Sequence, residues 1–86
     1  MKVKELINKL NKLDPESQVI LQKDSEGNGY SPCYGVEAAV YIAESSYSGS
    51  VYSLKFTAED NCMEEDEWER LKRNKKNKCV VIFPVN

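Results

Sequence analysis

The chain has 86 residues, of which 41% are apolar and 30% charged, and its formal net charge is −2. This composition is typical of a small folded domain, and the charge gives no general attraction to nucleic acid or to an anionic membrane. No apolar run approaches the ~20 residues that cross a bilayer, and residues 1–5 lack the apolar segment of a signal peptide. The sequence therefore predicts one domain over residues 1–86, located in the cytoplasm.

Two further features of the composition argue against catalysis. Histidine is absent, and the three cysteines, Cys33, Cys62 and Cys79, are too widely spaced for a paired zinc motif. A cysteine or serine nucleophile would need lysine or a carboxylate as its base, and no spacing in the chain suggests one. We therefore expect free cysteines, no cofactor, no bound metal and no enzymatic activity.

The first predicted element is an amphipathic helix that ends at Asp14-Pro15. Proline disfavours the α conformation of the residue before it, which ends the helix there. In so short a chain we expect the apolar stripe of this helix to build the core, although the stripe would also suit the groove of a partner. Its residues follow helical spacing: Val3, Leu6, Ile7, Leu10 and Leu13.

A buried strand and a loop follow the helix. Val19-Ile20-Leu21, within residues 18–23, is short and wholly apolar, which favours an inner strand. The loop at residues 23–32 resembles the first half of a calcium loop, but Gly35 stands where the final bidentate glutamate belongs. The loop also lacks the lysine of a phosphate-binding loop. We interpret it as a glycine-rich turn that presents Tyr30.

The middle of the chain predicts a hairpin. Residues 34–43 and 51–57 both alternate in polarity, and the turn at residues 44–50 is short enough to join them as antiparallel strands. One predicted face of the first strand carries Tyr34, Val36, Ala38, Val40 and Ile42.

The last third of the chain is charged in blocks, acidic over residues 59–69 and basic over residues 70–78. Favourable i,i+4 pairs predict a short helix at 64–73, with Trp68 and Leu71 as its anchors. The apolar run at 79–83 predicts a central strand. Together the elements predict an α+β fold: one small domain with the N-terminal helix packed on a four-stranded, mainly antiparallel sheet and a short charged helix before the last strand.

Three kinds of binding are compatible with these patterns. Two loops combine tyrosine with serine, asparagine and glycine, which is the composition of an adaptable recognition surface, although the tyrosines could simply cover sheet edges. The basic segment is an alternative site for DNA or RNA, with Trp68 as a stacking platform. In a third interpretation a second copy of the chain covers an open sheet edge. The candidate ligand-binding residues are Asp24, Asn28, Tyr30, Ser31, Tyr47 and Ser48, and the candidate nucleic-acid-binding residues are Trp68, Arg70, Arg73, Lys75 and Lys76.

Three segments carry a resemblance to a known group of proteins. They are Val3-Lys4-Glu5-Leu6-Ile7 with Leu10 and Leu13-Asp14-Pro15, then Asp24 with Glu26-Gly27-Asn28-Gly29-Tyr30-Ser31-Pro32, and finally Val80-Val81-Ile82-Phe83-Pro84-Val85-Asn86. With these segments the chain resembles small phage and prophage accessory proteins. The resemblance implies a viral protein in the cytosol of a bacterial host. It also implies an action by binding, either to a host protein that it inhibits or to a nucleotide signal of anti-phage defence that it sequesters.

Overall fold

The computed structural model describes all 86 residues. Its helices are α1 (Val3–Leu10) and α2 (Glu65–Arg73), with a short 3-10 helix at Lys75–Asn77. Its strands are β1 (Ile20–Gln22), β2 (Tyr30–Ala43), β3 (Gly49–Ser53) and β4 (Lys78–Pro84), and they form a four-stranded antiparallel sheet in which β2 pairs with the other three. The predicted α+β class is confirmed, with an N-terminal helix and a helix before the last strand. Neither helix has the length and apolar character that a membrane crossing requires.

The chain divides into two compact units. Unit 1 comprises Met1–Gly35 and Ile82–Asn86, and unit 2 comprises Val36–Val81. Both β2 and β4 contribute residues to each unit. A single domain over residues 1–86 remains a prediction.

Hydrogen bonds hold unit 1 together. β1 pairs with the start of β2 in a register that sets Ile20 opposite Pro32. β1 and β4 each pair with β2 alone, and Val19 and Ile20 are about half exposed, so the predictions of a buried inner strand at 18–23 and of a central strand at 79–83 were wrong. The Cys33 amide donates to the Val19 carbonyl at 3.0 Å, and the Val85 amide donates to the Pro32 carbonyl at 2.9 Å. Because Pro32 takes part in the sheet through its carbonyl, the strand tolerates its missing N–H group. The prediction that a loop extends to Pro32 was therefore wrong: the loop covers residues 23–29, and β2 begins at Tyr30.

The apolar stripe of α1 does not build the core, contrary to our expectation. No residue of α1 is buried, and the helix ends at Leu10, before the predicted stop at Asp14-Pro15. The reason for the early end is local, since the Leu13 amide donates to the Leu10 carbonyl and the chain enters a turn. The stripe residues Val3, Ile7, Leu10 and Leu13 are each about half exposed.

Unit 2 contains the hydrophobic core. Its buried apolar residues are Ala39, Val40, Ala58 and Trp68, and Ile42, Tyr52, Met63 and Leu71 pack against this cluster. Trp68 lies on α2, which starts with acidic and ends with basic residues and so suits the helix dipole. The prediction that Trp68 and Leu71 anchor this helix is confirmed.

The hairpin of β2 and β3 differs from the prediction in the bounds of β3 and in the burial of one face of β2. β3 covers Gly49–Ser53 instead of residues 51–57, and it ends early because the Ser53 hydroxyl accepts the Lys55 amide at 3.1 Å and starts a turn. Along β2, side chains at even positions are exposed up to Ala38, whereas Val40 is buried. The predicted face of Tyr34 to Ile42 is therefore covered only in its second half.

Candidate functional site

The turn between β2 and β3, residues 44–48, presents Tyr47 to solvent with 90% of its surface exposed. We call this segment the Tyr47 turn. Its backbone is fixed by hydrogen bonds in which the amides of Glu44 and Ser45 donate to the Ser48 carbonyl at 2.9 and 3.1 Å. The Ser45 and Ser48 hydroxyls lie 2.9 Å apart, and the Tyr47 amide donates to Ser45 Oγ at 3.2 Å. The turn therefore holds a free aromatic ring on an ordered frame.

Gly49 closes the Tyr47 turn onto the neighbouring strand. A Cβ atom at this position would lie 2.5 Å from the Ile42 carbonyl oxygen and 2.6 Å from the Tyr41 ring. A backbone oxygen cannot move aside cheaply at that distance, so only glycine permits this close approach of the two strands. The position of Tyr47 thus depends on a residue whose role the sequence alone did not reveal.

The second candidate segment is the loop at residues 23–29, in unit 1. The Asp24 carboxylate accepts the amides of Glu26 at 2.9 Å and Asn28 at 3.1 Å, and Gly27 adopts a positive φ of 77°. The hydrogen bond from the Asn28 amide, followed by further bonds from the loop, holds the pKa of the Asp24 carboxyl below its ordinary value. Asp24 is therefore engaged in shaping the loop, and Asn28 contributes through its backbone.

Tyr30 and Ser31 begin β2 and have opposite environments. The Tyr30 side chain is mostly exposed, whereas Ser31 is buried, with 2% of its surface accessible. The Ser31 hydroxyl donates to the Pro32 carbonyl at 3.2 Å and accepts the Asn86 amide at 3.1 Å. This hydroxyl links β2 to the final residue, a contact across 55 positions that no local pattern could have indicated.

The six predicted ligand-binding residues thus fall into two groups. Asp24, Asn28, Tyr30 and Ser31 belong to unit 1, and Tyr47 and Ser48 belong to unit 2. Within unit 1, Asp24 and Asn28 are in direct contact.

Unit 1 also contains a groove that the sequence did not predict. Its volume is about 470 Å³, and it is lined by Leu21, Gln22, Lys23, Ile82, Pro84 and Asn86. The apolar side chains come from β1 and β4, and one cation and two amides complete the lining. The lining residues come from 21–23 and 82–86, which are far apart in the sequence, and the pairing of β1 and β4 with β2 brings them together.

Of the five residues predicted for the alternative nucleic-acid site, Trp68 is not available for binding. Trp68 is 2% exposed, with its ring 6.5 Å from that of Tyr52 in an edge-to-face arrangement. Lys72 Nζ lies 5.5 Å from the Trp68 ring centroid and 2.7 Å from Glu69 Oε1. The indole therefore belongs to the core and offers no face for stacking on a base. The other four predicted residues, Arg70, Arg73, Lys75 and Lys76, are exposed.

The chemistry of the remaining reactive groups is limited. No three side chains of the cysteine, aspartate and glutamate type come together in a metal-binding cluster, and the three cysteines are free thiols. Burial raises the pKa of the Cys79 thiol, which disfavours its thiolate, and a backbone hydrogen bond from Ala39 opposes that shift.

Comparison of the chain with models of protein families, with curated proteins and with solved structures finds no match.

Proposed function

We propose that the protein is a non-enzymatic accessory protein, of the phage type that its motifs resemble, which binds a host protein and inhibits or sequesters it. The observation that carries this proposal is the Tyr47 turn, where an aromatic ring with 90% exposure stands on a backbone fixed by hydrogen bonds. The contact residue in the partner's pocket is Tyr47, and the serines around it supply hydrogen bonds at the rim.

Physical reasons favour this use of the turn. Tyrosine offers a large contact area with only two side-chain torsions to fix, so such residues dominate binding energy at many interfaces. The ordered frame reduces the entropy lost on binding, because the turn already has one conformation. Ser50 Oγ donates to Glu44 Oε1 at 2.6 Å, which strengthens the base of the turn. Truncating a central tyrosine of this kind costs about 2 kcal/mol or more in binding free energy.

Site-specific photo-crosslinking in a bacterial lysate tests the proposal. A photoreactive phenylalanine derivative replaces Tyr47 in one variant and Tyr34 in the control. Tyr34 is a suitable match because its side chain is 81% exposed, similar to that of Tyr47, but it lies on β2 in unit 1. We expect one host-protein adduct from position 47 and none from position 34. Unlabelled wild-type protein should compete for the adduct, and the Tyr47→Ala variant should not.

The proposal fails if position 47 gives no host adduct, if position 34 gives the same adduct, or if Tyr47→Ala competes as well as the wild type. Circular dichroism of the variant establishes that its fold is intact, since Tyr47 makes no contribution to the core.

The groove in unit 1 supports a second candidate, the binding of a small nucleotide-like ligand. Its volume of about 470 Å³ lies in the range of ligand pockets, and Lys23 next to Gln22 and Asn86 provides a cation for phosphate and two amides for a base. Calorimetry against cyclic dinucleotides and ADP-ribose should show binding that Lys23→Ala weakens and Lys9→Ala leaves unchanged. Absence of heat with the whole panel at micromolar protein would exclude this candidate.

A further inference from the structure

Unit 1 exposes the apolar side chains that a folded unit would normally bury. Its only buried residue is Ser31, which is polar, whereas all four buried apolar residues belong to unit 2. The large apolar side chains of unit 1 with about half or more of their surface exposed are Met1, Val3, Ile7, Leu10, Leu13, Val19, Ile20, Tyr30, Tyr34 and Val85. A unit with this composition has no hydrophobic core of its own.

Helix α1 requires a surface to pack on. It has eight residues, and its N-cap residue, Lys2, makes no side-chain capping bond. Isolated helices of fewer than ~12 residues are marginal in water, because their stability comes from packing an apolar face. The apolar face of α1 is well formed, yet none of its residues is buried. Its order therefore depends on a contact that the single chain does not supply.

The exposed apolar area of unit 1 can be compared with the area that a stable interface buries. The four exposed stripe residues, three on α1 and Leu13 just beyond it, present roughly 400 Å² of apolar surface, and the ten exposed residues of unit 1 present on the order of 1,000 Å². A stable interface takes about 800 Å² from each partner. The stripe alone is too small, so a stable contact must include other exposed side chains of unit 1.

We propose that two copies of this chain associate through unit 1, with the apolar stripe of α1 at the centre of a two-fold symmetric interface. A second copy fits this surface because the surface must be covered for unit 1 to keep its fold, and another copy is present whenever the chain is made. Unit 1 carries five lysines and five acidic residues, so two such units do not repel each other through net charge. This inference is independent of the Tyr47 turn, which lies in unit 2.

Sedimentation of the full chain with two variants of α1 tests the inference. Ile7→Asp places a charge in the stripe, and Asn8→Asp adds the same charge one position away, on the opposite side of the helix. We expect the wild type and Asn8→Asp to be dimers at high micromolar concentration and to dissociate at low micromolar concentration. Ile7→Asp should weaken association by about a hundredfold or more, because each copy would bury an unpaired charge. Fluorescence of Trp68, the single tryptophan, reports whether unit 2 stays folded in each variant.

Each other result overturns the inference. A monomeric wild type that binds a hydrophobic dye, and loses the dye with Ile7→Asp, would leave the stripe free for a foreign protein. A monomeric wild type without dye binding would mean that the chain covers its own stripe. Equal weakening by Ile7→Asp and Asn8→Asp would mean that association depends on charge and not on the apolar stripe.

Discussion

Units 1 and 2 use the same kinds of element with opposite results. Each combines antiparallel strand pairing with a short amphipathic helix. In unit 2 the helix buries Trp68 against Val40 and Ala58, whereas in unit 1 no residue of the helix is buried. A half-exposed aliphatic side chain forgoes roughly 1 kcal/mol of the transfer free energy that full burial would provide. Regular spacing of apolar residues therefore gives a helix an apolar face, but the burial of that face depends on which residues pack against it.

The comparison has a consequence for binding. A unit that is held by hydrogen bonds, with its apolar side chains in water, gains more from a partner than a unit with a closed core. Unit 2 instead presents an exposed aromatic ring on an ordered turn and can bind without changing its packing. The two units thus favour different kinds of association, and mutations in each should have different effects.

The largest expected effect is on unit 2, from removal of Trp68. Trp68→Ala leaves a cavity among Val40, Ala58 and Tyr52 and should lower the free energy of unfolding by about 3–5 kcal/mol. Tyr34→Ala, which truncates an exposed aromatic ring of unit 1, should change it by less than about 0.5 kcal/mol. Urea unfolding followed by circular dichroism at low micromolar concentration measures both. Similar losses from the two variants would contradict the assignment of the core to unit 2.

A pair of valines on β2 gives a finer comparison. Val40 is 2% exposed and Val36 is 67% exposed, although both lie on the same strand at even positions. Val40→Ala should cost about 2 kcal/mol of unfolding free energy, because it removes two buried methyl groups, and Val36→Ala less than about 0.5 kcal/mol. The same urea titration compares them. A cost at Val36 that equals the cost at Val40 would mean that the whole face is covered, as the alternating pattern had predicted.

Two glycines test the ordered frame of the Tyr47 turn. Gly49→Ala should cost about 1–2 kcal/mol, because its Cβ atom would meet the Ile42 carbonyl oxygen and force the strands apart. Gly35→Ala is the control, since nothing lies within 4 Å of the added atom. Chemical shifts of the residues around Tyr47 should change only in the first variant. If both variants leave the turn and the stability unchanged, the close approach at Gly49 does not determine the turn.

The smallest effect is a dependence on pH that both units share. Hydrogen bonds lower the pKa of Asp24 in unit 1 and of Asp60 in unit 2, where Asp60 Oδ2 accepts the Thr57 amide. A lowered folded-state pKa stabilises the fold above the unfolded-state value near 4, and this contribution disappears as pH falls through the folded-state values. Unfolding free energy should therefore decrease below about pH 4. Asp24→Asn and Asp60→Asn should each flatten that decrease, and a steeper acid loss in either variant would reverse the sign assigned here.

The sequence predicted elements better than it predicted their environment. Periodicity and charge pairs located both helices. Thr57 and Asp60 form the reciprocal hydrogen bonds of a capping box, but this box heads the turn that buries Ala58 and not α2. Local patterns describe one element at a time, so they predicted Trp68 both as an anchor of α2 and as a stacking platform. They could not show that burial of the anchor excludes the second role.

For the candidate sites as well, the sequence indicated which residues are exposed but not which residues come together in the fold. The composition of the turn at 44–50 predicted that Tyr47 is an exposed recognition residue; its side chain is 90% exposed, and its role in recognition stays a prediction. Burial of Ser31 was not predictable, because its hydroxyl bonds to Asn86 at the other end of the chain. The groove was missed for the same reason, since Lys23 and Asn86 become neighbours only through the sheet.

Hydrogen exchange of individual amides, measured at two protein concentrations, tests the difference between the units most directly. At low micromolar concentration, amides of unit 1 such as Cys33 and Lys23 should exchange many times faster than amides of the β2–β3 pairing in unit 2. Raising the concentration should slow exchange in unit 1 only, because association covers its apolar surface. Equal protection of both units at the lower concentration, with no response to dilution, would contradict the account.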